Sequence, residues 1–96
     1  MRINEIMENN RDEILRLAHR RGVGNIRIFG STARGEANLA SDVDFLVSLD
    51  ANHTLIDLGG FLMDVQDLLG RRVDVVTENG LHEGLRDRIL SEAVPL

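Results

Sequence analysis

Two carboxylates spaced two residues apart open an apolar segment of this chain, and a Gly-Ser pair precedes them. Asp42 and Asp44 begin the run DVDFLV, and ten residues separate them from Gly30 and Ser31. Side chains at positions i and i+2 of a strand share one face, so both carboxylates would be directed at one point. Paired carboxylate oxygens are ligands that Mg²⁺ uses when it also binds a substrate phosphate. A Gly-Ser turn with backbone N–H groups at the start of a helix suits the phosphate itself.

A third acid lies in a later apolar segment. Asp74 alternates with valines, and a carboxylate in such a strand is costly unless it is paired or bound to a metal. Beside Asp42 and Asp44 it would complete a site for two metal ions, which can activate an attacking hydroxyl and stabilise the leaving oxygen of an in-line displacement. An ion pair between Asp74 and Arg71 or Arg72 is the open alternative.

Two sequence strings together resemble the signature of a known superfamily. The string GSTARGEANLASDVDFLV, from Gly30 to Val47, resembles the DNA polymerase beta-like nucleotidyltransferases, and in particular their smallest members, the minimal nucleotidyltransferases (MNT proteins). The string LLGRRVDVVT fits the place where that family has its third acid. The resemblance implies that Asp42 and Asp44 hold two Mg²⁺ ions and that Asp74 binds the catalytic one. It also implies one nucleotidyltransferase domain over residues 1–96.

The resemblance further implies the reaction, which is transfer of a nucleoside monophosphate from an NTP to a hydroxyl, with ATP as the expected donor. Gly30 and Ser31 would hold the β and γ phosphates through backbone N–H groups and the Ser31 hydroxyl. Arg34 would neutralise the same phosphates, since its fork of donors suits phosphate oxygens; a surface arginine without this role is the alternative. Asp74 would help to deprotonate the acceptor hydroxyl.

The family also indicates an acceptor. MNT proteins include antitoxins that adenylylate a tyrosine of a HEPN toxin, a ribonuclease. The segment after Asp74 is too short for an acceptor-binding domain, so we expect a Mg²⁺-dependent protein adenylyltransferase that acts on a HEPN toxin in trans, within a hetero-oligomer. Two alternatives stay open: an antitoxin that neutralises its partner by binding alone, and a small-molecule nucleotidyltransferase of the aminoglycoside-modifying kind.

The composition of the chain indicates which classes of partner it can bind. The chain has 96 residues, 16 Asp and Glu against 11 basic residues, a net charge of −5 and no cysteine. An acidic chain whose aromatic residues are three phenylalanines lacks the basic surface and stacking groups of a polynucleotide binder. Its charge suits a basic, RNA-cutting partner. Since no apolar run approaches the ~20 residues of a membrane span, we expect a cytoplasmic protein.

Hydrophobic spacing predicts an α/β (α+β) fold of the order α-β-α-β-α-β-α, with a small mixed sheet of three or more strands. Apolar residues recur at helical spacing in the long helices and alternate in the strands. The predicted helices are Asn4–Arg20, Thr32–Arg34, Leu55–Leu69 and Leu81–Ala93, and the predicted strands are Asn25–Phe29, Val43–Leu49 and Arg71–Thr77.

Four local expectations follow from residue type. Ser31 is expected to cap the short helix, and Ser41 to cap or orient the Asp-x-Asp loop. Asparagines before Arg11 allow a later start of the first helix at that residue. Gly59 and Gly60 lower the stability of the long helix by roughly 1 kcal/mol each relative to alanine. We therefore expect a close approach between that helix and the sheet.

Overall fold

The computed structural model describes residues 3–35 and 42–96. The predicted order of seven elements is confirmed, and a short fourth strand follows it in the described part. The elements are α1 (Ile3–Arg20), β1 (Val23–Phe29), α2 (Gly30–Ala33), β2 (Val43–Leu49), α3 (Leu55–Leu69), β3 (Val73–Thr77), a 3-10 turn (Glu78–Gly80), α4 (Glu83–Glu92) and β4 (Val94–Pro95).

The four strands form one mixed sheet in the order β3-β2-β1-β4. β1 runs antiparallel to both β2 and β4, whereas β2 and β3 are parallel. A parallel pair needs a crossover connection, and α3 provides it. The mixed α/β fold predicted from the sequence is therefore confirmed.

The core lies between one face of this sheet and the helices α1 and α3. Val43, Phe45 and Val47 are fully buried there, and Phe45 meets Phe61 of α3 edge to face at 6.3 Å between ring centroids. Because side chains alternate along a strand, Asp44 lies on the opposite face of the sheet. The core residues are Met7, Ile14, Ala18, Val23, Ile26, Val43, Phe45, Val47, Phe61, Val65, Leu69 and Val73.

The long helices have recognisable ends. α1 begins at Ile3, so the later start at Arg11 is wrong. α3 begins after Thr54, whose side chain and that of Asp57 form a capping box. It ends at Leu69, and the following Gly70 has the left-handed φ of +64° typical of a helix C-cap. The predicted range of α3 is confirmed at both ends.

Several predicted boundaries are wrong. β1 starts at Val23, two residues earlier than predicted, and β3 starts at Val73, two residues later. The last helix covers Glu83–Glu92 and not Leu81–Ala93, because Thr77 first caps the 3-10 turn. After this helix Val94 pairs with Ile28 and adds β4 to the free edge of β1.

Two local expectations are also corrected. Ser31 is not the N-cap of α2, because this helix already begins at Gly30, with Phe29 in the cap position and no side-chain cap. The close approach at Gly60 does not involve the sheet: a Cβ there would lie 2.5 Å from the Arg21 guanidinium, which pairs with Asp64. Ser41 lies outside the described residues.

Candidate active site

The sheet brings the predicted acids together at one end. In the parallel pair, Asp44 of β2 stands opposite Asp74 of β3, and adjacent strands are about 4.8 Å apart. Asp42 immediately precedes β2, where the Val43 N–H donates to the Arg72 carbonyl oxygen. Asp42 and Asp74 are exposed, whereas Asp44 is half-buried.

The Gly-Ser turn lies against the same carboxylates. Phe29 at the end of β1 stands opposite Asp44, so the chain enters α2 directly beside it. Gly30 has a φ of +70°, and a Cβ at this position would lie 2.5 Å from Asp44 Oδ2. Only glycine therefore allows this approach of the turn to the carboxylate. The N–H groups in the first turn of α2 have no carbonyl partner within the helix.

The electrostatics of the site are dominated by negative charge. Burial, and then the charges of Asp74 and Asp42, raise the pKa of Asp44, while the Arg34 guanidinium partly offsets them. The half-buried carboxylate is thus held close to two others, an arrangement that favours a bound cation. Arg72 Nε lies 4.0 Å from Asp42 Oδ1. The ion pair of this arginine therefore involves Asp42, whereas the sequence suggested Asp74 as its partner.

The donor set fits Mg²⁺ in its chemistry, since all three side chains offer hard carboxylate oxygens. Within residues 3–35 and 42–96, however, no three acidic or histidine side chains are placed to hold one ion together. Side-chain rotation, substrate phosphates and water would have to complete the coordination. The metal-binding roles of Asp42, Asp44 and Asp74 stay predictions.

Arg34 directly follows α2 and is engaged by a residue that sequence reasoning missed. Its Nη1 lies 3.1 Å from Glu92 Oε1 at the end of α4, although Arg34 also acts on the pKa of Asp44. Nothing in the sequence signals this pair, because 58 positions separate the two residues. Arg34 therefore lies between the acids of the site and a competing carboxylate.

His53 has a structural contact in the loop between β2 and α3. His53 Nδ1 lies 3.1 Å from Asp57 Oδ2, and its ring covers Gly22, whose φ is +68°. This contact closes the loop between β2 and α3 at the opposite end of β2 from the acids. It gives His53 no part in the site.

Comparison with known proteins gives the family. A family model for the nucleotidyltransferase domain matches residues 11–96. The chain belongs to this family. It is 42% identical over 94 residues to “Putative protein adenylyltransferase MJ0435” of Methanocaldococcus jannaschii, covering 98% of this chain and 97% of that protein. It is 40% identical over 78 residues to “Protein adenylyltransferase MntA” of Thermococcus cleftensis, covering 81% and 79%.

Solved structures agree with this assignment. One described as a “putative minimal nucleotidyltransferase” superposes with a TM-score of 0.87 at 43% identity, covering 96% of this chain and 94% of that one. The resemblance to the minimal nucleotidyltransferases is thereby confirmed. A toxin–antitoxin crystallised with AMP-PNP has a TM-score of 0.75 at 20% identity, covering 90% and 71%, and shows a shared fold. No helix within the described ranges has the length and apolar character to cross a membrane.

Proposed function

We propose that this chain transfers AMP from ATP to a tyrosine hydroxyl of a HEPN toxin partner and thereby acts as its antitoxin. The observation that carries the proposal is the placement of Asp44 between Asp74 and the glycine turn at Gly30. The acids and the turn to which we assign phosphate binding therefore lie at the same end of the sheet. The names of both relatives contain the term protein adenylyltransferase, which supports a protein as the acceptor.

In the proposed reaction, the acceptor hydroxyl oxygen attacks the α-phosphorus of ATP. The new phosphorus–oxygen bond forms as the bond from the α-phosphorus to the bridging oxygen breaks, and pyrophosphate leaves. Asp74, exposed at the edge of the site, accepts the hydroxyl proton. The backbone N–H groups of Gly30 and Ser31 bind the β and γ phosphates, and Arg34 exchanges Glu92 for a phosphate oxygen.

Asp42, Asp44 and Asp74 would hold Mg²⁺ in this reaction. When bound, the metal would neutralise phosphate charge and stabilise the leaving pyrophosphate. Burial, and then the charges of Asp74 and Asp42, raise the pKa of Asp44. A bound cation would offset both causes, because it stabilises a desolvated carboxylate and relieves the repulsion from the other two. The same charges would otherwise repel the triphosphate.

The test is the intact mass of the toxin partner after co-expression with this chain. We expect a gain of one or more AMP units with the wild type and none with Asp42→Asn plus Asp44→Asn. Asp12→Asn plus Asp87→Asn is the matched control, since it removes two exposed carboxylates from α1 and α4. A partner that the acid-to-amide variant still modifies would refute the mechanism. A partner that is silenced without any mass gain would show an antitoxin that acts by binding.

A further inference from the structure

Exposed apolar side chains lie along α3, on the side of the helix that faces away from the sheet. Leu55, Ile56 and Met63 are 78%, 82% and 55% exposed, although the opposite side of the helix is buried in the core. Exposed apolar side chains that cluster in this way mark interaction sites in soluble proteins. Together with Gly59, these residues are called here the outer face of α3.

Gly59 lies at the centre of this face, one helical turn from each of the three apolar residues. A Cβ at Gly59 would meet nothing within 4 Å, and its backbone has no positive φ. No contact among the described residues therefore requires glycine there, although glycine weakens a helix. A missing side chain between three apolar ones forms a shallow groove into which the backbone of another helix can pack closely.

The charges around the outer face are acidic. α3 carries three aspartates and no basic residue, and Asp67 is exposed beside Met63. Arg21 reaches the other edge of the helix, where it pairs with Asp64. Next to Leu55 opens a cavity of about 330 Å³, and Asp50 and Glu78 are among its lining residues. A basic occupant is favoured, and a second copy of this chain, with its acidic rim and net charge of −5, is disfavoured.

We infer that the outer face of α3 docks an amphipathic α-helix of the protein partner. The apolar residues of that helix pack on Leu55, Ile56 and Met63, a small residue passes over Gly59, and Lys or Arg side chains reach Asp67 or the acidic cavity. This inference rests on the proposed function for the identity of the partner. The face lies on the opposite side of the sheet from Asp44, so docking leaves the acids free for the acceptor.

The test compares Gly59→Leu with Gly84→Leu. Both glycines lie in helices where an added Cβ meets nothing, but Gly84 is on α4. The dissociation constant for the purified HEPN toxin partner is measured by calorimetry, together with melting temperature and AMP transfer. We expect Gly59→Leu to weaken binding at least tenfold without lowering the melting temperature, and Gly84→Leu to stay within twofold of wild type.

A positive charge placed on the outer face of α3, where it would repel the Lys or Arg side chains of the partner helix, gives a second, independent variant. Ile56→Lys should also weaken binding at least tenfold, while Leu85→Lys on α4 should not. Wild-type affinity in both Gly59→Leu and Ile56→Lys would overturn the docking surface, whatever the transfer assay shows. A wild-type dimer that Gly59→Leu converts to a monomer in light scattering would also overturn it, since the occupant would be a second copy. Normal docking without AMP transfer would refute the proposed reaction alone.

Discussion

Replacing Gly30 with alanine, compared with the same change at Gly70, distinguishes the cost of backbone strain from damage to the site. Gly30 has a φ of +70°, and a non-glycine residue in this left-handed region costs about 1–2 kcal/mol. For a domain of this size, each kcal/mol lowers the melting temperature by roughly 4–8 °C. We therefore expect Gly30→Ala to melt roughly 4–16 °C below wild type. Gly70→Ala provides the control, because Gly70 has a φ of +64° and an added Cβ there meets nothing.

The two variants should differ in activity. The new Cβ at position 30 would lie 2.5 Å from Asp44 Oδ2, so the carboxylate must turn away by about 1 Å to reach ordinary contact distance. A displacement of this size at a reacting centre costs roughly 100-fold in rate. We expect AMP transfer to fall by about that factor in Gly30→Ala and to stay near wild type in Gly70→Ala.

The assay is the initial rate of AMP transfer to the toxin partner, measured at a temperature where melting curves show both variants fully folded. Calorimetry of ATP binding at the same temperature separates a lost phosphate site from a misplaced acid. If Gly30→Ala transferred AMP within twofold of wild type, the close contact between the turn and Asp44 would not matter for the reaction. Equal losses in both variants would mean that strain alone explains them.

Three further predictions concern single contacts. The pKa of Asp44 is raised in the folded state, so its ionisation disfavours folding as the pH rises through that pKa. We therefore expect Asp44→Asn to be more stable than wild type at pH 7. Chemical denaturation should show that the difference in unfolding free energy between the two proteins vanishes in acid. Glu92→Gln removes the carboxylate that competes for Arg34, so calorimetry should show tighter ATP binding by severalfold, and unchanged affinity would contradict the phosphate role of Arg34. Thr54→Ala removes the cap of α3 and should cost about 1 kcal/mol, or a melting temperature roughly 4–8 °C lower, while Thr54→Ser should restore most of it.

Much of the fold follows from local patterns. The apolar spacing of Leu55–Leu69, followed by Gly70, predicts both ends of α3. The alternation of Val43, Phe45 and Val47 with the residues between them predicts which face of the sheet Asp44 occupies. These features depend on residues close together in the sequence. Local signals were therefore sufficient for them.

The features that the sequence did not predict depend on contacts between distant segments. Glu92 meets Arg34 only because α4 folds back towards α2, and Arg21 covers Gly60 because α1 packs beside α3. β4 contains two residues, too few for a period-2 pattern, and forms because β1 has a free edge. The prediction of Ser31 as the cap of α2 is wrong because the left-handed turn at Gly30 already begins the helix.

The most direct test of the proposed function is a time course with purified components. The HEPN toxin proposed as the partner is incubated with this chain, ATP and Mg²⁺, its intact mass is followed, and peptide mapping locates any added group. We predict that AMP appears on a tyrosine of the partner, that pyrophosphate is released in equal amount, and that Asp74→Asn abolishes both. A partner whose mass stays unchanged, in a complex that binds ATP, would contradict the claim that this chain is a protein adenylyltransferase.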